Sequence, residues 1–206
     1  MEYENDFSDF ILVYDKPQQQ QILKKEDWDQ IIMQNSLNGF RYKDIHYSLL
    51  KGIKYSTRKD IWLVLADVKS LKDEYQVNFK DLTKITSKDA GQIKKDVLRT
   101  YVEYKECNAE EFQKYLYQIL NAYAILDPEL GYAQGMNFIV AALLIHLDPN
   151  INSSVSEDTY IIEDKFIENS FWILIKKHEL QKYINFVYLI ANLQIQKGAY
   201  NEKKED

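Results

Sequence analysis

The sequence predicts an all-α fold. Apolar residues recur three and four positions apart in one segment after another, and no stretch shows the period-two alternation and hairpin turns of a sheet. The segments are punctuated by glycine or by a residue-proline step, where helices usually stop. No internal repeat divides the chain.

The elements follow in order. After an acidic, aromatic-spotted lead-in and a polar run at 18–21, Trp28, Ile31 and Ile32 mark an amphipathic helix that runs until Asn38-Gly39. A second pattern, Ile45, Leu49 and Leu50, stops at Gly52, where glycine accepts left-handed angles cheaply. Thr57 and Asp60 have capping-box spacing ahead of Ile61, Trp62 and Leu65. Residues 67–88 show no firm period and read as loop with a short helix near 73–77. Residues 92–99 place Ile93 and Val97 four apart, a short helix ending in Arg99. Asn108 and Glu111 frame the start of a longer helix carrying Phe112, Tyr115, Leu116, Ile119, Leu120, Tyr123 and Leu126, which Asp127-Pro128 ends. Met136 to Leu147, the most apolar run, would reach about 18 Å as a helix, against a bilayer core of about 30 Å, and so reads as buried. A further stretch has Ile162, Phe166, Phe171, Trp172 and Ile175. The last pattern, Tyr183, Phe186, Val187, Ile190 and Leu193, runs into a charged tail at 191–206.

The 206 residues, 46% hydrophobic and 28% charged, carry 16 Tyr and 9 Phe, which is enough apolar material for one domain with its own core. The formal net charge of −6 gives no overall attraction to nucleic acid or to an anionic membrane. One cysteine, Cys107, excludes an intramolecular disulfide and fits a reducing compartment. The acidic start lacks the pattern of a leader, so a cytoplasmic location is expected. His46, His146 and His178 lie far apart in the sequence and lack metal-ligand spacing, so no metal site is expected from them.

The octapeptide Gly131-Tyr132-Ala133-Gln134-Gly135-Met136-Asn137-Phe138 uses two of only six glycines to bracket a tyrosine and an amide. Glycine permits backbone angles that a Cβ obstructs and lets another surface approach the main chain. Two readings stand at this point. Gln134 is either a local partner of backbone groups at a helix start or a side chain presented outward.

Three ordered stretches extend the pattern: Arg58-Lys59-Asp60-Ile61-Trp62 after Gly52-Ile53, then Ile93-Lys94-Lys95-Asp96-Val97-Leu98-Arg99, then Tyr132-Ala133-Gln134 between its glycines. Together they resemble the RxxxW, IxxDxxR and YxQ motifs of the TBC domain, the all-helical GTPase-activating module for Rab GTPases. Thr100, Asp127-Pro128, and Glu168 with Ser170-Phe171-Trp172 match in support. The resemblance implies that Arg99 and Gln134 are the arginine and glutamine fingers that enter a Rab active site, in a protein that regulates vesicle trafficking. Asp96 and Tyr132 would support them. Arg58 and Trp62, one helical turn apart, would be mainly structural, with the arginine reaching a neighbouring loop or the finger region. GTP and magnesium would belong to the GTPase partner, and the activator would work in trans without being a hydrolase itself.

The chain departs from the family at Lys54 and Val102, where prolines are usual. The resemblance covers about residues 40–190 as a partial TBC domain, behind a lead-in at 1–39, with the C-terminal lobe expected to be largely missing. Two alternatives to an active Rab activator follow: a non-catalytic Rab-binding module, or a helical interaction protein. The stripe from Tyr183 to Leu193 is expected to drive self-association or recruit a second chain. No integral membrane segment is expected, only peripheral attachment to endomembranes through the partner.

Overall fold

A computed structural model describes residues 21–148 and 162–179, and every regular element among them is a helix. The helices are α1 (Lys25–Gln34), α2 (Tyr42–Lys51), α3 (Tyr55–Leu65), α4 (Val68–Tyr75), α5 (Phe79–Leu82), α6 (Ala90–Val97), α7 (Lys105–Asn108), α8 (Glu110–Leu126), α9 (Met136–Leu147) and α10 (Asp164–Glu179). The lead-in before residue 21, the stripe at 183–193 and the charged tail lie outside the described residues.

The core is built on α8, which packs against α6, α9 and α10. Its apolar face, Phe112, Leu116, Ile119, Leu120 and Tyr123, is buried to 1% exposure or less. Glu110 and Glu111 lie in its first turn, where carboxylates favour the positive end of the helix dipole. Its C-cap, Asp127, leaves helical angles at φ −118° and ψ 80°, as the following Pro128 requires. The expected buried helix is α9, with Val140, Ala141, Leu143, Leu144 and Leu147 in the core. Phe171, Trp172 and Ile173 on α10 close the other side.

A second, smaller core gathers Trp28 and Ile31 of α1, Ile45 of α2, and Ile61 and Val64 of α3. Helix α3 is the wall between the two cores, because Trp62, next to Ile61, belongs to the larger one.

Several sequence expectations need correction. Residues 67–88 are not mainly loop. They contain α4 and α5, and the helix expected at 73–77 ends at Tyr75, with Gln76 left-handed at φ 48°. Val68, Leu71 and Tyr75 do form a stripe, but Lys69, Lys72, Asp73 and Glu74 dilute it. Packing on α10 decides the matter, with Tyr75 edge-on to Trp172 at 6.1 Å and Lys72 Nζ 2.7 Å from Glu168 Oε1. Helix α3 starts at Tyr55, so Thr57 lies inside its first turn and its hydroxyl donates to the Lys54 carbonyl instead of capping. Asn108 ends α7 instead of capping α8, and its amide donates to the Val102 and Tyr104 carbonyls. Gly52 closes α2 at φ 96° and ψ 147°, a glycine conformation but not the expected left-handed helical one.

Candidate functional site

The site forms where α6 ends beside the loop joining α8 to α9. Ile93 and Val97, one turn apart, are buried at 0% and 4% exposure in the main core. That anchoring turns Asp96 inward to 1% exposure. The helix stops at Val97 with Leu98 as its cap, so Arg99 stands just beyond the helix and not within it. Tight turns hold it there: Arg99 N–H donates to the Asp96 carbonyl and Thr100 N–H to the Val97 carbonyl, both at 3.2 Å. Its side chain remains 58% exposed, with Nη2 2.6 Å from Asp96 Oδ1.

Asp96 is the shared support. Its Oδ1 also accepts from Gln92 Nε2 at 3.0 Å, and its Oδ2 accepts from the Tyr132 hydroxyl at 2.7 Å. Burial alone would push this carboxyl up. The Tyr132 and Gln92 hydrogen bonds and the Arg99 charge outweigh burial, and the group sits below the usual carboxylate range. Burial, helped by the adjacent Asp96 carboxylate, pushes the Tyr132 phenol well above its ordinary value, so it remains a donor.

The glutamine loop is fixed from the other side. Tyr132 N–H donates to Asp89 Oδ2 at 2.9 Å, which ties the loop to the start of α6. Gly131, at φ 64°, carries no Cβ where one would lie 2.5 Å from that same Asp89 oxygen. Glycine is favoured there by conformation, and a Cβ would push the Asp89 carboxylate off its bond to the Tyr132 N–H. Gly135, at φ 101°, is the N-cap of α9 and faces open space, so only its conformation calls for glycine. Between them Gln134 is exposed, and its side chain makes no hydrogen bond to the described residues. Of the two sequence readings, the local backbone partner is therefore not what the structure displays.

Asn137 was missed as a functional candidate. It is buried to 1% exposure and donates from Nδ2 to Thr100 Oγ1 at 2.8 Å, while its Oδ1 accepts from Gly135 N–H at 3.2 Å. The available signal was an amide in the second position of the most apolar helix, where a buried polar group must find partners.

Arg58 and Trp62 lie apart from this cluster. Arg58 is buried, with Nη2 donating to the Ile53 carbonyl at 3.3 Å and Nη1 3.2 Å from His146 Nδ1. Trp62 meets the same histidine edge-on at 5.9 Å. His146 is near the far end of α9, about 14 Å along the helix from Asn137. Of the two destinations expected for Arg58, the neighbouring loop is the one occupied. Among the described residues, no group of three His, Cys, Asp or Glu could hold a metal ion, and no helix is long and apolar enough to cross a membrane.

The Rab-GTPase-TBC domain family matches residues 55–197, a span that takes in every site residue described above. The chain belongs to this family. Among its relatives, human ecotropic viral integration site 5 protein homolog is 30% identical over 125 residues, 58% of this chain and 15% of that protein. The GTPase-activating protein GYP5 of Eremothecium gossypii is 35% identical over 96 residues, 47% of this chain and 11% of that protein. The chain thus spans only a small part of these relatives. Among solved structures, the Chlamydomonas flagellar RabGAP TBC domain superposes with a TM-score of 0.56 at 21% identity, covering 72% of this chain and 47% of that one. The Ypt/Rab-GAP domain of Gyp1p gives 0.51 at 21% identity, covering 84% and 56%. These two likenesses establish that the TBC domain here shares their helical fold.

Proposed function

We propose that this TBC domain accelerates GTP hydrolysis by a Rab-family GTPase, with Arg99 and Gln134 entering the partner's nucleotide site. The observation that carries the proposal is the pairing of two exposed side chains of suitable chemistry on two loops that are each fastened to one buried carboxylate. Arg99 contacts Asp96 directly, and Tyr132, two residues before Gln134, donates to the same group.

The chemistry follows from that arrangement. During phosphoryl transfer, charge spreads over the γ-phosphoryl oxygens and the leaving group, and a planar guanidinium can meet several oxygens at once. With one nitrogen held by Asp96, Arg99 keeps its other donors for the phosphates. An arginine finger is worth about 10³ to 10⁵ in rate, or roughly 4 to 7 kcal/mol of barrier. Gln134 offers an amide donor and acceptor to the attacking water and would orient it in place of a glutamine from the GTPase's own chain. Magnesium and GTP come with the partner, which would also place the activator on the membranes its GTPase occupies.

Multiple-turnover hydrolysis against a panel of Rab GTPases, with pull-downs on the same panel, tests the proposal. Stimulated hydrolysis by at least one Rab is expected. Binding without stimulation would make the protein a Rab-binding module, and neither result would make it a helical interaction protein.

A further inference from the structure

We infer that Asn137 is a positioning residue that couples the two finger loops, so that the placement of Gln134 depends on hydrogen bonds made beside Arg99. The inference rests on the Rab-directed reading for its kinetic consequence only. The coupling itself is a property of the isolated chain.

The geometry assigns the orientation of the amide. Gly135 N–H can only donate, so the atom 3.2 Å from it must be Oδ1. The Asp96 carbonyl can only accept, so the atom 3.5 Å from it must be Nδ2. Thr100 Oγ1 spends its proton on the Asp96 carbonyl at 2.6 Å and therefore receives from Asn137 Nδ2 at 2.8 Å. The Tyr132 hydroxyl, whose proton is directed to Asp96 Oδ2 at 2.7 Å, lies 3.2 Å from Asn137 Oδ1.

One buried side chain thus touches the turn that holds Arg99 at its Nδ2 end and the glycine that follows Gln134 at its Oδ1 end. No other side chain could exchange these roles easily. Aspartate would set acceptor against acceptor at the Thr100 end, and leucine would leave the Gly135 N–H without its acceptor and Thr100 Oγ1 without its donor.

The test perturbs the arginine side and reads the glutamine side. Thr100→Val is close to isosteric and removes the hydroxyl that accepts from Asn137. Asn137→Ala and the double variant complete a cycle, which is the direct measure of coupling between neighbours. Amide hydrogen exchange on the isolated chain is expected to show the Gly135 N–H exchanging at least about tenfold faster in Thr100→Val, while the core amides of α9 from Val140 to Leu144 keep their protection. Gly135 exchange at the wild-type rate would overturn the coupling. So would a uniform acceleration along α9, because that would mean plain loss of stability.

With a responsive Rab, Thr100→Val should lower kcat at least tenfold with KM changed less than about threefold, and adding it to Asn137→Ala should cost little more than Asn137→Ala alone. Multiplicative losses, or a change in KM alone, would also overturn the proposal. If the wild-type chain stimulates no Rab, the GTPase reading fails, while the exchange result still decides the coupling.

Discussion

Arg99 rests on a buried carboxylate at 2.6 Å, whereas Gln134 touches no hydrogen-bonding group among the described residues. That contrast separates the two substitutions. Arg99→Ala should lower stimulated hydrolysis at least about 100-fold and Arg99→Lys should restore little, because an ammonium lacks the planar fork. Gln134→Ala should cost at least about tenfold in rate and leave the melting temperature unchanged, since no bond is lost; rate and melting curve measured on one sample check both. The flanking glycines should also differ. Gly131→Ala adds a collision with Asp89 to an unfavourable backbone conformation and should destabilise by more than about 1 kcal/mol, whereas Gly135→Ala meets open space and should cost about 1 kcal/mol through conformation alone. Chemical denaturation ranks the pair. Because Asp96 is held below its ordinary range, its contribution is fully present above the unfolded carboxylate value near 3.9 and is lost as pH falls through its folded value. Asp96→Asn should therefore flatten the acid limb of stability below about pH 4, which urea titrations at several pH values would reveal.

Helices show where local signals suffice and where they do not. Lys54 stands where the family usually has proline, and it already has φ −54° at the N-cap of α3, with its N–H making no hydrogen bond to the described residues. Lys54→Pro should raise stability by about 0.4–1 kcal/mol by restricting the unfolded chain, seen as a higher melting temperature. The long helices α8 and α9 were legible because their apolar stripes are dense and a proline stop follows each. Helix α4 was not, because its stripe is completed by residues such as Trp172, about a hundred positions later in the chain, and no local pattern encodes that contact. Cap signals misled for a related reason. Thr57 and Asn108 have the right chemistry, but packing puts the N-caps of α3 and α8 elsewhere, at Lys54 and Ala109, neither of which makes a side-chain capping bond. In the site, Arg99, Asp96, Tyr132 and Gln134 could be picked out by motif. Their joining through Asn137 could not, since that amide reads locally as one polar interruption in an apolar run.

At the scale of the molecule, the site is a seam between two parts of the chain that the main core holds side by side. Tyr132 reaches Asp96 across 36 residues and Asp89 across 43, and Asn137 reaches Thr100 across 37. Helices α6, α8 and α9 can begin from contacts within themselves, but none of these cross-links exists until α6 has docked. Closing such intervals costs entropy before the contacts return any stabilisation. The arrangement therefore carries a consequence in time: helical signal should recover first on refolding, and the ability to stimulate a GTPase only afterwards. Stopped-flow circular dichroism paired with delayed addition of GTP-loaded Rab should show activity lagging behind ellipticity, and substitutions at Asp89 or Tyr132 should speed unfolding far more than they slow folding. A young chain of this kind would have its helices before its two finger loops were fastened together.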